Sequence, residues 1–266
     1  MLPVVAAGAC AVGLVVVGWL ALDVPAAQGR DVAILHGFTG LDRPRVNGGL
    51  VTVGRLVDPV PYALGGLACI AVAIARGRPW RALAVGAVLV VTGVSAQALK
   101  HAFAEQRFAP WLGYGQIDAA SWPSGHATAV MTLALCAVLV APPAWRGVVA
   151  LLGGGCAIAV AYATLALVWH YPSDVLAGFL LAGLWVSLAV AVLQRVEPEG
   201  AAARRALPSE RLVAFGGLGA LAAVAVVVAA SDGVAQYATA RSTLVAGAMT
   251  IAALALALVT SVAVAE

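Results

Sequence analysis

The sequence predicts an all-α fold, a polytopic membrane helix bundle, on three observations. Of 266 residues, 63% are hydrophobic and only 10% are charged. The apolar residues fall in runs of the ~17–25 residues that a helix needs to cross a bilayer. Trp19, Trp80, Trp111, Trp122, Trp145 and Trp169 stand near the ends of those runs, where interfacial anchors belong.

About eight transmembrane helices follow in order, at residues 2–22, 59–75, 82–99, 125–141, 147–169, 175–193, 212–230 and 242–265. The first lacks the basic leader of a secretory signal and is too long in its apolar run, so it reads as a retained span. Residues 23–58 are longer than a simple connection. Within them Leu50, Val53, Leu56 and Val57, beside Arg55 and Asp58, allow a short amphipathic helix over 48–58 on the membrane surface. An irregular loop is the equal alternative. The segment 194–211, which opens Gln-Arg-Val-Glu-Pro-Glu-Gly, is the best internal boundary. It divides the chain into a membrane-embedded core over 1–193 with six helices, a cytoplasmic linker over 194–211, and two additional transmembrane helices over 212–266.

Charge sets the orientation. Loops 76–81, 142–146 and 194–211 hold eight arginines in 29 residues, while the opposite loops hold seven Lys or Arg in 77. Cytoplasmic loops carry such an excess, which places the protein in the plasma (inner) membrane with Lys100, Arg107, His126, His170 and Asp174 facing outward. A net charge of +3, with no basic patch interleaved with aromatics, argues against nucleic acid as a partner. Cys10, Cys69, Cys136 and Cys156 all lie in apolar runs without metal-ligand spacing and read as small packing residues. Fourteen of the fifteen basic residues are arginine, and Ala, Val and Gly abound, a bias that points to a GC-rich bacterial genome.

The chemistry concentrates where polar loops meet spans. Ser121-Trp122-Pro123-Ser124-Gly125-His126 sits at the mouth of the fourth span. An ionisable group at a membrane boundary is a functional candidate by default. Serine and glycine at a helix start offer a hydroxyl cap and open backbone N–H groups, together an anion site. Lys100 and Arg107 precede this segment, and His170 and Asp174 follow it.

Read together, these clusters resemble the type 2 phosphatidic acid phosphatase superfamily, which includes bacterial lipid phosphate phosphatases. The first family motif, Lys-x6-Arg-Pro, is matched by Lys100 and Arg107, with Phe108 in place of proline. The second, Pro-Ser-Gly-His, is matched in full by Pro123, Ser124, Gly125 and His126. In the third, Ser-Arg-x5-His-x3-Asp, His170 and Asp174 match, but Ala163 and Thr164 stand where serine and arginine are usual.

Residue type and resemblance together assign roles. Phosphoryl transfer depends chiefly on positioning and electrostatics. Lys100 and Arg107 would neutralise the phosphate, while Ser124, Gly125 and the N–H groups opening the fourth span would hold its equatorial oxygens. His170 would attack phosphorus, giving the phosphohistidine that the resemblance implies. Asp174 would orient His170 through the other ring nitrogen. His126 would protonate the departing lipid oxygen and then activate water. Thr164 cannot neutralise charge as the missing arginine would; Arg43 and Arg45 are the candidates to replace it. Tyr114, Gln116 and Asp118 lie in the right loop to touch substrate, whereas His36 and His101 have no evident partner.

The expected activity is thus release of phosphate from a lipid phosphate or pyrophosphate, polyprenyl or glycerophospholipid, without a cofactor or metal. Three other readings use the same residues. A sugar or lipid hydroxyl could replace water, making a phosphotransferase. Thr164 could mark a non-catalytic lipid-phosphate binder or transporter. His126, His170 and Asp174 could be metal ligands, although Lys100 and Arg107 would then be redundant.

Overall fold

The computed structural model describes residues 1–39, 44–197 and 239–265, with backbone alone at 44–46. These residues form nine α-helices: α1 (Leu2–Asp23), α2 (Pro25–Thr39), α3 (Pro44–Gly54), α4 (Pro59–Ala75), α5 (Pro79–Ala102), α6 (Gly125–Val140), α7 (Pro143–Ala166), α8 (Pro172–Val196) and α9 (Ser242–Ala265). Proline occupies the first or second helical position of α1, α4, α5, α7 and α8. Its fixed φ suits a helix start, and its missing N–H is one that has no intrahelical partner there.

Among the described residues, six single helices are long and apolar enough to cross a membrane. They are α1, α5, α7, α8, α9 and a segment Ala119–Val140 that ends in α6. The 17-residue α4 makes a seventh with Asn47–Val57, from which it is bent by 51°. The chain is a multi-pass, all-α membrane protein, as expected. Seven of the eight anticipated spans correspond to helices; the one at 212–230 lies outside the described residues.

The structure departs from the sequence reading at three places. The fifth span was expected to reach residue 169, but α7 stops at Ala166. There the N–H groups of Val168 and Trp169 turn back to the carbonyls of Leu165 and Thr164, with Val168 at φ 59°. That closing turn caps the helix end without the usual glycine. The amphipathic helix expected over 48–58 begins earlier, at Pro44, and gives way to a 3₁₀ turn over Arg55–Val57. Residues 25–39, expected as loop, form α2. Its buried residues Asp31, Leu35 and Phe38 follow an i, i+4, i+7 spacing that gives it one inward face.

At the centre, α6 packs between α7 and α8. α1 lies along α8, with Gly13 against Leu180 and Gly18 against Trp122. α9 packs on α7, α8 and α2. Its Leu244 meets Gly37 so closely that a β-carbon there would stand 2.8 Å from Leu244 Cβ, while Gly247 faces Ile34. At the end of the bundle away from the histidines, Arg81 donates to the Leu139 carbonyl at 2.8 Å and Arg76 donates to that of Val140. Cations there satisfy the last carbonyls of α6, which have no intrahelical partner. Glu197 joins them, 3.4 Å from Arg81 and 3.6 Å from Arg78.

Candidate active site

The opposite end of the bundle gathers the polar residues. Ser124 precedes α6 with extended backbone, and its hydroxyl accepts the Ala127 N–H at 3.2 Å. This N-cap leaves the next backbone N–H groups of α6 pointing outward without helical partners. The chain is held against α8 by a hydrogen bond from Ser124 N–H to the Asp174 carbonyl, 2.9 Å. Contact this close requires a glycine opposite. A β-carbon on Gly178 would stand 2.8 Å from the Ser124 carbonyl oxygen and 2.9 Å from both N and Oγ1 of Thr128.

Lys100, one turn from the end of α5, brings Nζ to 3.9 Å from where a β-carbon on Gly125 would lie. An ammonium and a helix N-terminus therefore face the same space, an arrangement that favours an anion. His126 follows on the first turn of α6 and is partly exposed. Its ring centroid is 5.9 Å from that of His170 and 5.3 Å from that of Trp169. His126 Nε2 lies 3.6 Å from Asp58 Oδ1, the residue that opens α4.

His170 is buried just ahead of α8, with Nδ1 3.4 Å from Asp174 Oδ2. Asp174 is fully buried and reaches back to accept the Tyr171 N–H at 2.9 Å. A carboxylate facing Nδ1 favours the proton on that nitrogen and leaves the Nε2 lone pair free. Two imidazoles, one on α6 and one in the turn before α8 backed by a carboxylate, suit a nucleophile and an acid–base partner on either side of a bound group.

Arg107 is placed differently from the sequence expectation. It is buried, and its guanidinium is already committed. Nη1 donates to Ser173 Oγ at 2.9 Å and to Asp31 Oδ2 at 3.3 Å. Nη2 donates to Ser121 Oγ at 2.8 Å and to Asp174 Oδ1. The plane lies over the Tyr171 ring, 4.1 Å from its centroid. Two carboxylates on one buried guanidinium offset the cost of desolvating all three. In this arrangement Arg107 ties the loop before α6 to the start of α8.

Thr164 is fully buried, and its hydroxyl donates to the Ala161 carbonyl of the same helix at 2.8 Å. Arg43 and the side chain of Arg45 lie outside the described residues. Gln116 is occupied in folding its own loop, bonding Ala109 N–H at 2.8 Å and the carbonyls of Ala109 and Gly113. Asp118 accepts the Ala120 N–H at 2.7 Å, and Tyr114 is fully exposed. His36 stacks edge-on against Trp111, while His101 is exposed.

Four residues of the site were given no role in it from sequence: Asp31, Asp58, Ser121 and Ser173. Ser121 opens the segment singled out at the fourth span, and Ser173 adjoins Asp174, a position that could have marked it. Asp31 and Asp58 come from α2 and the start of α4, distant in sequence. Only the rarity of acidic residues in so apolar a chain marked them.

These features define a class: a helical membrane bundle whose polar end carries two histidines, a buried histidine–carboxylate pair and a cationic helix start. Residues 81–198, the stretch that contains all three motifs, match the family model of the PAP2 superfamily. No curated protein matches the chain. Among solved structures, the fold is similar to one titled as the first transmembrane PAP2 type phosphatidylglycerolphosphate phosphatase from Bacillus subtilis. That likeness has a TM-score of 0.61 at 20% identity and covers 72% of this chain and 97% of the other.

Proposed function

We propose that this protein is a metal-independent lipid phosphate phosphatase that works at the outer surface of the plasma membrane through a phosphohistidine. The observation that carries the reading is the pairing of His126 and His170 at 5.9 Å, with Asp174 behind His170 and Lys100 beside the N-terminus of α6. The phosphoryl group would sit between the two rings, its charge met by Lys100 and the α6 N–H groups. His170 Nε2 forms a bond to phosphorus as the bond from phosphorus to the lipid oxygen breaks, and His126 gives that oxygen its proton. In the second step water attacks phosphorus, His126 takes the water proton, and the N–P bond breaks to release inorganic phosphate and restore His170.

The helical wall around the site suits a substrate whose tail stays in lipid while its headgroup enters from the surface. Polyprenyl phosphates or pyrophosphates and glycerophospholipid phosphates both meet that description. Purified protein is expected to release phosphate from at least one member of a panel of these lipids, with turnover unchanged by a chelator. Absence of release from the whole panel, or loss of activity with chelator that a divalent cation restores, would overturn the reading.

The outward orientation rests on charge. Arg76, Arg78, Arg81 and Arg146 gather at the end of the bundle opposite the histidines, as cytoplasmic arginines should. In a variant lacking the four native cysteines, Tyr114→Cys is expected to react with a membrane-impermeant thiol reagent in intact cells, and Ala144→Cys is not. Both positions are exposed, so the reverse pattern would place the site on the inner face.

A further inference from the structure

We propose that Asp31, on α2 and outside the three motifs, is a positioning residue that holds Arg107 and the start of α8 so that His170 and Asp174 stay aligned for phosphoryl transfer. The inference rests on the phosphatase reading. Asp31 is buried at 8% exposure and lies outside the region matched by the family model. Its Oδ1 accepts the Ser173 backbone N–H at 2.9 Å, and its Oδ2 accepts both the Ser173 hydroxyl and Arg107 Nη1.

The reason a helix elsewhere in the chain performs this task lies in α8 itself. Its N-cap residue is Tyr171, which has no short polar side chain to cover the first N–H groups. The Tyr171 hydroxyl donates instead to the Arg107 carbonyl at 3.2 Å. Asp174 takes one backbone N–H, that of Tyr171, and Asp31 takes the N–H of Ser173. Asp31 is therefore the helix cap supplied from another helix. It also shares Arg107 with Asp174, so the guanidinium is pulled from two sides and Asp174 keeps Oδ2 turned toward His170.

This placement opposes stability. Burial raises the Asp31 carboxyl from 3.8 to about 6, helped by the negative charge of Asp174 and resisted by Ser173 and Arg107. A raised carboxyl favours the protonated folded form, so the fold loses stability as pH climbs from the ordinary carboxylate range through about 6. At pH 7.5 a neutral amide escapes that loss but gives up the ion pair, since its one carbonyl oxygen cannot accept from both the Ser173 N–H and Arg107.

The test compares Asp31→Asn and Asp31→Glu with wild type at pH 7.5. For Asp31→Asn, kcat is expected to fall by ~10- to 100-fold, the range that small misplacements of reacting groups produce, with KM within about twofold. Its melting temperature should stay close to that of wild type, relief of carboxylate burial offsetting the lost ion pair. Asp31→Glu, which keeps the charge, should recover part of the lost kcat. Unchanged kcat in Asp31→Asn, or a kcat loss accompanied by a lower melting temperature, overturns the proposal.

A second readout needs no substrate. The chain has only four histidines, so imidazole ¹⁵N shifts can be assigned with a His170→Gln reference. Wild type should show His170 with its proton on Nδ1, and Asp31→Asn should show a mixture of tautomers. If no lipid is dephosphorylated but the tautomer changes, the phosphatase reading fails and the positioning role stands. If phosphate is released and the His170 signals are identical in both proteins, the positioning role fails alone.

Discussion

His170→Ala is expected to release phosphate at least roughly 10³-fold more slowly than wild type, because removal of the proposed nucleophile would abolish the covalent route outright. His126→Ala loses somewhat less, roughly 10²- to 10⁴-fold, as expected for an acid–base group whose part water can take in some measure. The two variants separate further by trapping. On a substrate whose leaving group departs without protonation, such as an aryl phosphate, His126→Ala should accumulate phosphorylated protein, since attack by His170 survives while activation of water is impaired. His170→Ala should never carry the label. Acid-labile, base-stable incorporation of labelled phosphate measures this directly, and label in His170→Ala would transfer the nucleophilic role to another residue. Neither change should unfold the protein, because His126 stands at the polar mouth and His170 Nδ1 lies 3.4 Å from Asp174, beyond normal hydrogen-bonding distance.

Gly178→Ala is expected to be as damaging to the site through packing alone. A single methyl there would lie 2.8 Å from the Ser124 carbonyl and 2.9 Å from Thr128 N, and both of those atoms are backbone. A flexible side chain could swing aside, but a backbone can yield only by moving α6 away from α8. Overpacking of this kind costs about 1–3 kcal/mol. The displacement acts on the bond from Ser124 N–H to the Asp174 carbonyl, and so on the spacing between the two histidines. Gly178→Ala should therefore melt several degrees lower and lose most of its turnover. Gly155→Ala serves as control, since a β-carbon at that position meets nothing within 4 Å. A Gly178→Ala variant with wild-type melting and turnover would show that the α6–α8 contact does not set the site.

The fold was legible because membrane spans are written in long apolar runs that nothing else in a protein requires. Seven runs became helices within a few residues of their expected ends. The discrepancies have local causes. α7 ends early because Val168 turns the chain, and no glycine or proline announced that turn. α2 was missed because Gln28, Arg30 and His36 share its sequence with Leu35 and Phe38, so its composition reads as loop while its inward face does not.

Within the site, the motif residues came together as their order implied: Lys100, Ser124, Gly125, His126, His170 and Asp174 share one end of the bundle. What the sequence could not convey was how the charges pair. Arg107 has the residue type of a phosphate ligand, yet its partners Asp31, Ser121, and the adjacent Ser173 and Asp174 come from three separate places in the chain. A guanidinium's availability depends on neighbours that only folding brings near. The same holds for Asp58, whose approach to His126 follows from the bend between Asn47–Val57 and α4.

The contact of α9 with α2 bears on how the molecule is made. α2 emerges from the ribosome early, with the residue that reaches Arg107 already on it. Part of the surface against which α2 packs, Leu244 on Gly37 and Gly247 on Ile34, belongs to α9, which emerges long after every catalytic candidate. A nascent chain can thus carry both histidines while the helix that bears Asp31 still lacks part of its packing. If Asp31 positions Arg107 as proposed, the order in which the parts are synthesised is not the order in which the site becomes complete, because the packing of α2 is finished by α9, which contributes none of the site's polar groups among the described residues.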